Sequence, residues 1–134
     1  MITREINKII LHCSDTKTSQ SFDISDIDLW HRKRGWDCVG YHYYIKLDGT
    51  LQPGRDINTK GSHCYGQNSK SIGICFEGGL NPDGSKWDEP LNEQLLTYDV
   101  LKAYLDSVFG ALPVHGHYEF SDKDCPNFVI EDVI

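Results

Sequence analysis

Apolar residues along the chain recur with two different periods, and the changes from one to the other mark out strands and helices. Ile9-Ile10-Leu11 is a short continuous apolar run that predicts a buried strand over residues 8–12. The polar Cys13-Ser14-Asp15-Thr16-Lys17 predicts a turn just past its end. Over 23–34, Ile24, Ile27, Trp30 and Arg34 recur at helical spacing, with Asp23 or Ser25 as the cap and Gly35 as the stop. Residues 41–46 and 51–52 flank Leu47-Asp48-Gly49-Thr50 and predict a hairpin, because Asp-Gly tolerates the positive φ of a tight turn. Residues 61–70 are polar and aperiodic, so they form a loop before a second buried strand at 71–76. Asn81-Pro82-Asp83-Gly84 is a turn. A long helix follows over 92–109, with Leu95, Tyr98, Leu101, Leu105 and Val108 on one face and Gly110 at its end. Leu112-Pro113-Val114-His115 then returns the chain to the sheet. This order predicts an α/β fold, a mixed central β-sheet flanked by helices.

Composition narrows the classes of function. A chain of 134 residues, 39% hydrophobic and 25% charged, fits one globular domain with one core. The net charge of −7 argues against nucleic-acid binding, which needs a basic face, and offers no general attraction to membranes or anionic walls. The basic run Arg32-Lys33-Arg34 sits at a predicted helix end, where the helix dipole accounts for it. Three apolar residues near the N-terminus are far too few for a signal peptide or membrane span, which predicts cytoplasmic synthesis. The five cysteines are odd in number and widely spaced, as expected for reduced thiols with one reserved for a metal.

The candidate chemistry gathers near the C-terminus. His117 and Cys125 can fold back on one another across a short loop, and an imidazole with a thiolate is the ligand chemistry that zinc prefers. Lys123 between them would hold a positive charge where a substrate carbonyl oxygen turns negative. The best third ligand is His12, at the end of the apolar run. His115 is a rival, because residues two apart on a strand share a face. His42 reads as a packed core histidine. Cys13 should face away from His12 and be inert, as should Cys38, Cys64 and Cys75. Trp30 belongs to the helix stripe, while Trp36 and Trp87 are equally compatible with packing and sugar stacking.

Several motifs in order resemble the zinc-dependent N-acetylmuramoyl-L-alanine amidases, a family that includes phage endolysins and peptidoglycan recognition proteins. They are Leu11-His12-Cys13-Ser14, Trp30-His31, Gly35-Trp36, Val39-Gly40-Tyr41-His42, Lys46-Leu47-Asp48-Gly49-Thr50 and Gly54-Arg55-Asp56. Gly61-Ser62-His63, Asn68, Ser71-Ile72-Gly73-Ile74 and the stretch from His117 to Cys125-Pro126 continue the series. The resemblance implies one zinc ion on His12, His117 and Cys125, with Tyr41 and Lys123 as catalytic partners and a fourth position left for water. It implies hydrolysis of the bond between N-acetylmuramic acid and L-alanine in peptidoglycan, with access to the wall through release or another protein. It also favours substrate contacts for His63 and Asn68, although a solvated or loop-closing role suits both equally on spacing alone. Asn127 departs from the family, since many relatives carry glycine there. The alternative is a recognition or regulatory protein that keeps the fold but only binds peptidoglycan. Binding-only relatives typically lose the thiol ligand, which is present here. No motif marks a protein partner.

Overall fold

The apolar run at 9–11 lies in the middle of the sheet in the computed structural model, which describes residues 2–134. It belongs to β1 (Lys8–Cys13), followed by β2 (Thr16–Lys17), α1 (Ile24–Lys33), β3 (Tyr43–Ile45), β4 (Leu51–Pro53) and β5 (Ser71–Phe76). The chain then forms β6 (Gly79–Leu80), α2 (Asn92–Phe109), β7 (Val114–Gly116) and α3 (Ile130–Val133), with 3-10 turns at Asn68–Lys70 and His117–Glu119. The main sheet has the order β4-β3-β5-β1-β7. β1 runs parallel to both β5 and β7, β5 runs parallel to β3, and β4 is antiparallel, so the sheet is mixed as expected.

β1 is continuously apolar because both its faces are covered: Ile9, Ile10 and Leu11 are each 0% exposed. Ile9, Leu11 and Cys13 pack with Ile72, Ile74 and Phe76 of β5 and with Tyr98, Leu101 and Leu105 of α2. The opposite face carries Tyr44 and Cys75 beneath Ile27 of α1. Alternation along β1 therefore sends His12 away from the larger core, at the carboxyl end of a central parallel strand, where open α/β sheets place their sites.

The predicted helices are present, with two differences in what they bury. Helix α1 starts from Asp23, whose backbone N–H donates to the Asp26 carboxylate at 2.9 Å. Helix α2 buries Gln94 with Tyr98, Leu101 and Leu105, whereas Val108, the last predicted face position, stays 44% exposed. Burying Gln94 is tolerable because its amide donates to the carbonyls of Ile45 (3.1 Å) and Glu77 (2.8 Å). The hairpin strand begins at Tyr43, two residues later than expected, and the segment read as a turn after β1 contains β2, which pairs with β6.

His42 is a core histidine, 1% exposed. Its Nδ1 accepts the Gly73 N–H at 3.0 Å, and its Nε2 stands 2.8 Å from the Thr59 carbonyl. Burial pulls its pKa down to about 4. The unfolded chain takes up this proton near pH 6.5, so stability is fully present above about pH 6.5 and is lost as pH falls toward 4. The Tm at pH 5 is expected to lie at least about 5 °C below that at pH 7, and the drop should shrink in His42→Gln. A drop equal to the parent's in that variant would assign the effect to other groups.

Candidate metal centre and active site

Three donor atoms from distant parts of the chain converge at the carboxyl end of β1. One ligand atom each from His12, His117 and Cys125 lie within 4.8 Å of one another. Cys125 Sγ stands 3.8 Å from His12 Nδ1, close to the roughly 3.3–3.6 Å separating two tetrahedral ligands of one zinc ion. His12 is 1% exposed, and His117 and Cys125 are half-buried.

The loop from 117 to 125 makes this meeting possible. β7 ends at Gly116, and the 3-10 turn that follows changes direction, so the strand rule that made His115 a rival does not extend to His117. His115 Nδ1 instead meets Glu119 Oε1 at 3.0 Å. The Tyr118 N–H donates to the Cys125 carbonyl at 3.0 Å and closes the loop. Beyond it, the Cys125-Pro126 peptide is cis, and Trp87 Nε1 donates to the Pro126 carbonyl at 2.9 Å, which makes Trp87 a buried anchor. Asn127 has φ of 68°, a left-handed conformation that asparagine tolerates better than most residues, so it fills a glycine-like position. Its side chain ties the loop to Asp15 (2.9 Å) and to the Gly79 carbonyl (3.1 Å).

The electrostatics favour a thiolate. The Cys125 thiol is held well below the ordinary range by the polar groups gathered around it, Cys13 first and then His117 and His12, against the opposing effect of burial. The Cys13 backbone N–H also donates to Cys125 Sγ at 3.1 Å. This contact is made by the Cys13 backbone. Alternation does aim its side chain away from His12, but the Cys125 loop crosses the strand end and reaches both residues.

Tyr41 and Lys123 line the same cleft, of about 440 Å³. The Tyr41 ring lies 5.0 Å from that of His12, and burial holds its phenol well above the ordinary value, so the hydroxyl keeps its proton. Lys123 is exposed at the rim, and its ammonium makes no hydrogen bond or ion pair among the described residues. Asp124, which could have completed an all-protein coordination shell, pairs with Lys86. Among the described residues the cluster therefore has three ligands.

His63 and Asn68 meet protein groups. His63 is 8% exposed, with Nδ1 2.8 Å from His12 Nε2 and Nε2 3.3 Å from Ser71 Oγ. Asn68 Oδ1 accepts the backbone N–H groups of His63 (2.9 Å) and Cys64 (3.0 Å), which is the loop-closing role. The sequence reading passed over His31. Its Nδ1 accepts the Gly40 N–H at 2.9 Å, and its ring lies between Trp36 (4.5 Å) and Tyr41 (5.4 Å) on the cleft wall. Its neighbour Trp30 accounted for the helix stripe, so only its place in the Trp30-His31 motif marked it. Trp36 is a cleft residue, and Trp30 packs against Phe22 at 5.0 Å.

Comparison with known proteins agrees with this geometry. The sequence profile of N-acetylmuramoyl-L-alanine amidase matches residues 2–128. The endolysin of Escherichia phage T7 is 42% identical over 123 residues, covering 90% of this chain and 80% of the relative. The solved structure of the N-acetylmuramoyl-L-alanine amidase LysC from Clostridium intestinale superposes with a TM-score of 0.84 at 30% identity, covering 97% of this chain and 83% of that one. Drosophila PGRP-LB gives 0.79 at 25% identity, with 94% and 77% covered. A match over nearly the whole length, in sequence and in fold, means that this chain belongs to the N-acetylmuramoyl-L-alanine amidase family.

Proposed function

We propose that the protein is a zinc-dependent peptidoglycan amidase of the phage endolysin type, cleaving the amide between N-acetylmuramic acid and L-alanine. The observation that carries this reading is the convergence of His12, His117 and Cys125 in an open cleft beside Tyr41 and Lys123. Two imidazoles and a thiolate suit zinc better than the hard, oxygen-seeking cations, and three protein ligands match a catalytic site. When bound, zinc supplies Lewis-acid activation of water and of the scissile carbonyl. His12 Nδ1, the His117 imidazole and Cys125 Sγ would hold it.

The remaining work falls to the cleft. The Lys123 ammonium, unpaired among the described residues, is placed to meet the carbonyl oxygen as negative charge develops on it. Tyr41 keeps its proton and so offers a hydrogen bond to the tetrahedral centre. Trp36 and His31 form an aromatic wall, and Arg34 at the rim supplies a local positive charge for an acidic stem peptide despite the net charge of −7. The thiol at position 125 supports the hydrolase over the recognition-only alternative, and so does the likeness to phage endolysins. Delivery to the cell wall would follow the same endolysin pattern.

The test is incubation with purified peptidoglycan. The expected products are peptides with a new L-alanine amino terminus, formed by protein carrying one zinc per chain and not formed after chelation. Retention of peptidoglycan with zinc bound and no new amino termini would move the protein to the recognition class.

A further inference from the structure

A chain of buried hydrogen bonds runs from the metal cluster into the loop before β5. His12 directs Nδ1 toward Cys125 and places Nε2 2.8 Å from His63 Nδ1. His63 Nε2 stands 3.3 Å from Ser71 Oγ, which donates to the Gln67 carbonyl at 2.7 Å. A carbonyl can only accept, so its position sets the polarity of every bond above it. With the Ser71 proton committed to Gln67, Ser71 Oγ accepts from a His63 Nε2–H. His63 Nδ1 then carries a lone pair and accepts from a His12 Nε2–H. His12 Nδ1 is left unprotonated, which is the form a metal ligand must take.

The surrounding residues fit this task. A Cβ on Gly61 would stand 2.4 Å from His63 Cδ2, and one on Gly73 would stand 2.7 Å from the same atom, so two glycines form the slot that holds the ring. Asn68 grips the backbone on either side of the His63 peptide.

We propose that His63 is a positioning residue of the metal centre, its Nδ1 fixing the tautomer and aim of His12; this rests on the zinc reading above. A metal-bound histidine commonly gives its other N–H to a carboxylate or a backbone carbonyl. An imidazole in that place adds no negative charge, so the thiolate of Cys125 is the only anion on the ion and the site keeps its electrophilic character.

Zinc affinity is measured by competition with a chromophoric chelator for the parent, His63→Ala, His63→Asn and Ser71→Ala. Loss of an outer hydrogen-bond partner typically weakens metal affinity by about 10–100-fold, and that loss is expected for His63→Ala. Asparagine places an acceptor near the Nδ1 position, so His63→Asn should recover most of it, and Ser71→Ala should fall between. Parent-like affinity in His63→Ala, or no advantage of Asn over Ala, overturns the proposal. Nitrogen-15 NMR of the zinc-loaded parent reads the tautomers without any variant: Nε2–H is expected on both His12 and His63, and a proton on His63 Nδ1 overturns the proposal alone. Absence of zinc binding by the parent overturns the metal reading and this proposal together.

Discussion

Cys125→Ser is expected to remove both zinc retention and hydrolysis. In the proposed centre the thiolate is the one anionic ligand, and a serine hydroxyl at neutral pH is a neutral, weak oxygen donor, so two imidazoles would be left to hold the ion. The arrangement that lowers the Cys125 thiol, with the Cys13 backbone N–H donating to Sγ and His117 and His12 alongside, stabilises a negative charge that serine does not carry. Zinc content measured at parent levels of free zinc should fall to below about one-tenth per chain, and release of L-alanine-terminated peptides should drop by at least about 1,000-fold. The cleft walls from Trp36, His31 and Arg34 are untouched, so the variant should still co-sediment with insoluble peptidoglycan. Cys38→Ser, outside the cluster, is the control and should match the parent. Hydrolysis by Cys125→Ser at the parent's rate would show that the metal centre has been placed wrongly.

The second large effect concerns Tyr41 and Lys123, which the proposed mechanism assigns to the reacting atoms and not to the metal. Tyr41→Phe and Lys123→Ala should each keep one zinc per chain and lose about 100-fold or more in turnover, about 2.7 kcal/mol of transition-state stabilisation. Tyr41→Phe removes the hydroxyl and leaves the ring that packs 5.0 Å from His12 and 5.4 Å from His31, so folding and zinc content should not change. Lys123 is exposed and, among the described residues, unpaired, which gives its removal little structural consequence. For both variants kcat should fall with little change in KM, because the interaction is made as charge develops on the carbonyl oxygen. Near-parent turnover in both would take them out of the mechanism.

Much of this was legible in the chain. The run Ile9-Ile10-Leu11 announces a strand covered on both faces, the spacing of Ile24, Ile27 and Trp30 announces α1, and Asp48-Gly49 announces the hairpin whose Gly49 has φ of 88°. These are local signals, set by the period of burial and by the backbone freedom of single residues. The residue types of His12, His117 and Cys125 suggested a metal site, and the further motifs shared with the amidases along the chain turned that suggestion into a nomination.

What the sequence left open is what depends on contacts between distant segments. Whether His115 or His117 turns to the cluster is decided by the 3-10 turn after Gly116 and by the Tyr118–Cys125 bond that closes the loop. Alternation could place Cys13 opposite His12, but only the path of the 117–125 loop across the end of β1 brings Cys125 Sγ to the Cys13 N–H. For His63 and Asn68 the chain showed polar residues in a loop, consistent with substrate contact or with loop closure. The structure turns Asn68 onto its own loop's backbone and His63 onto His12, 51 residues earlier in sequence. A single side chain and its neighbours carry its period and its propensity, so the sequence by itself determined the long strands, the two main helices, the hairpin turn and the residue types available for chemistry, but not the short β2–β6 pair or α3. The partner of a buried imidazole is set by which strands lie side by side, here β1 against β5 with His12 opposite Cys75, and that register exists only once the chain has folded.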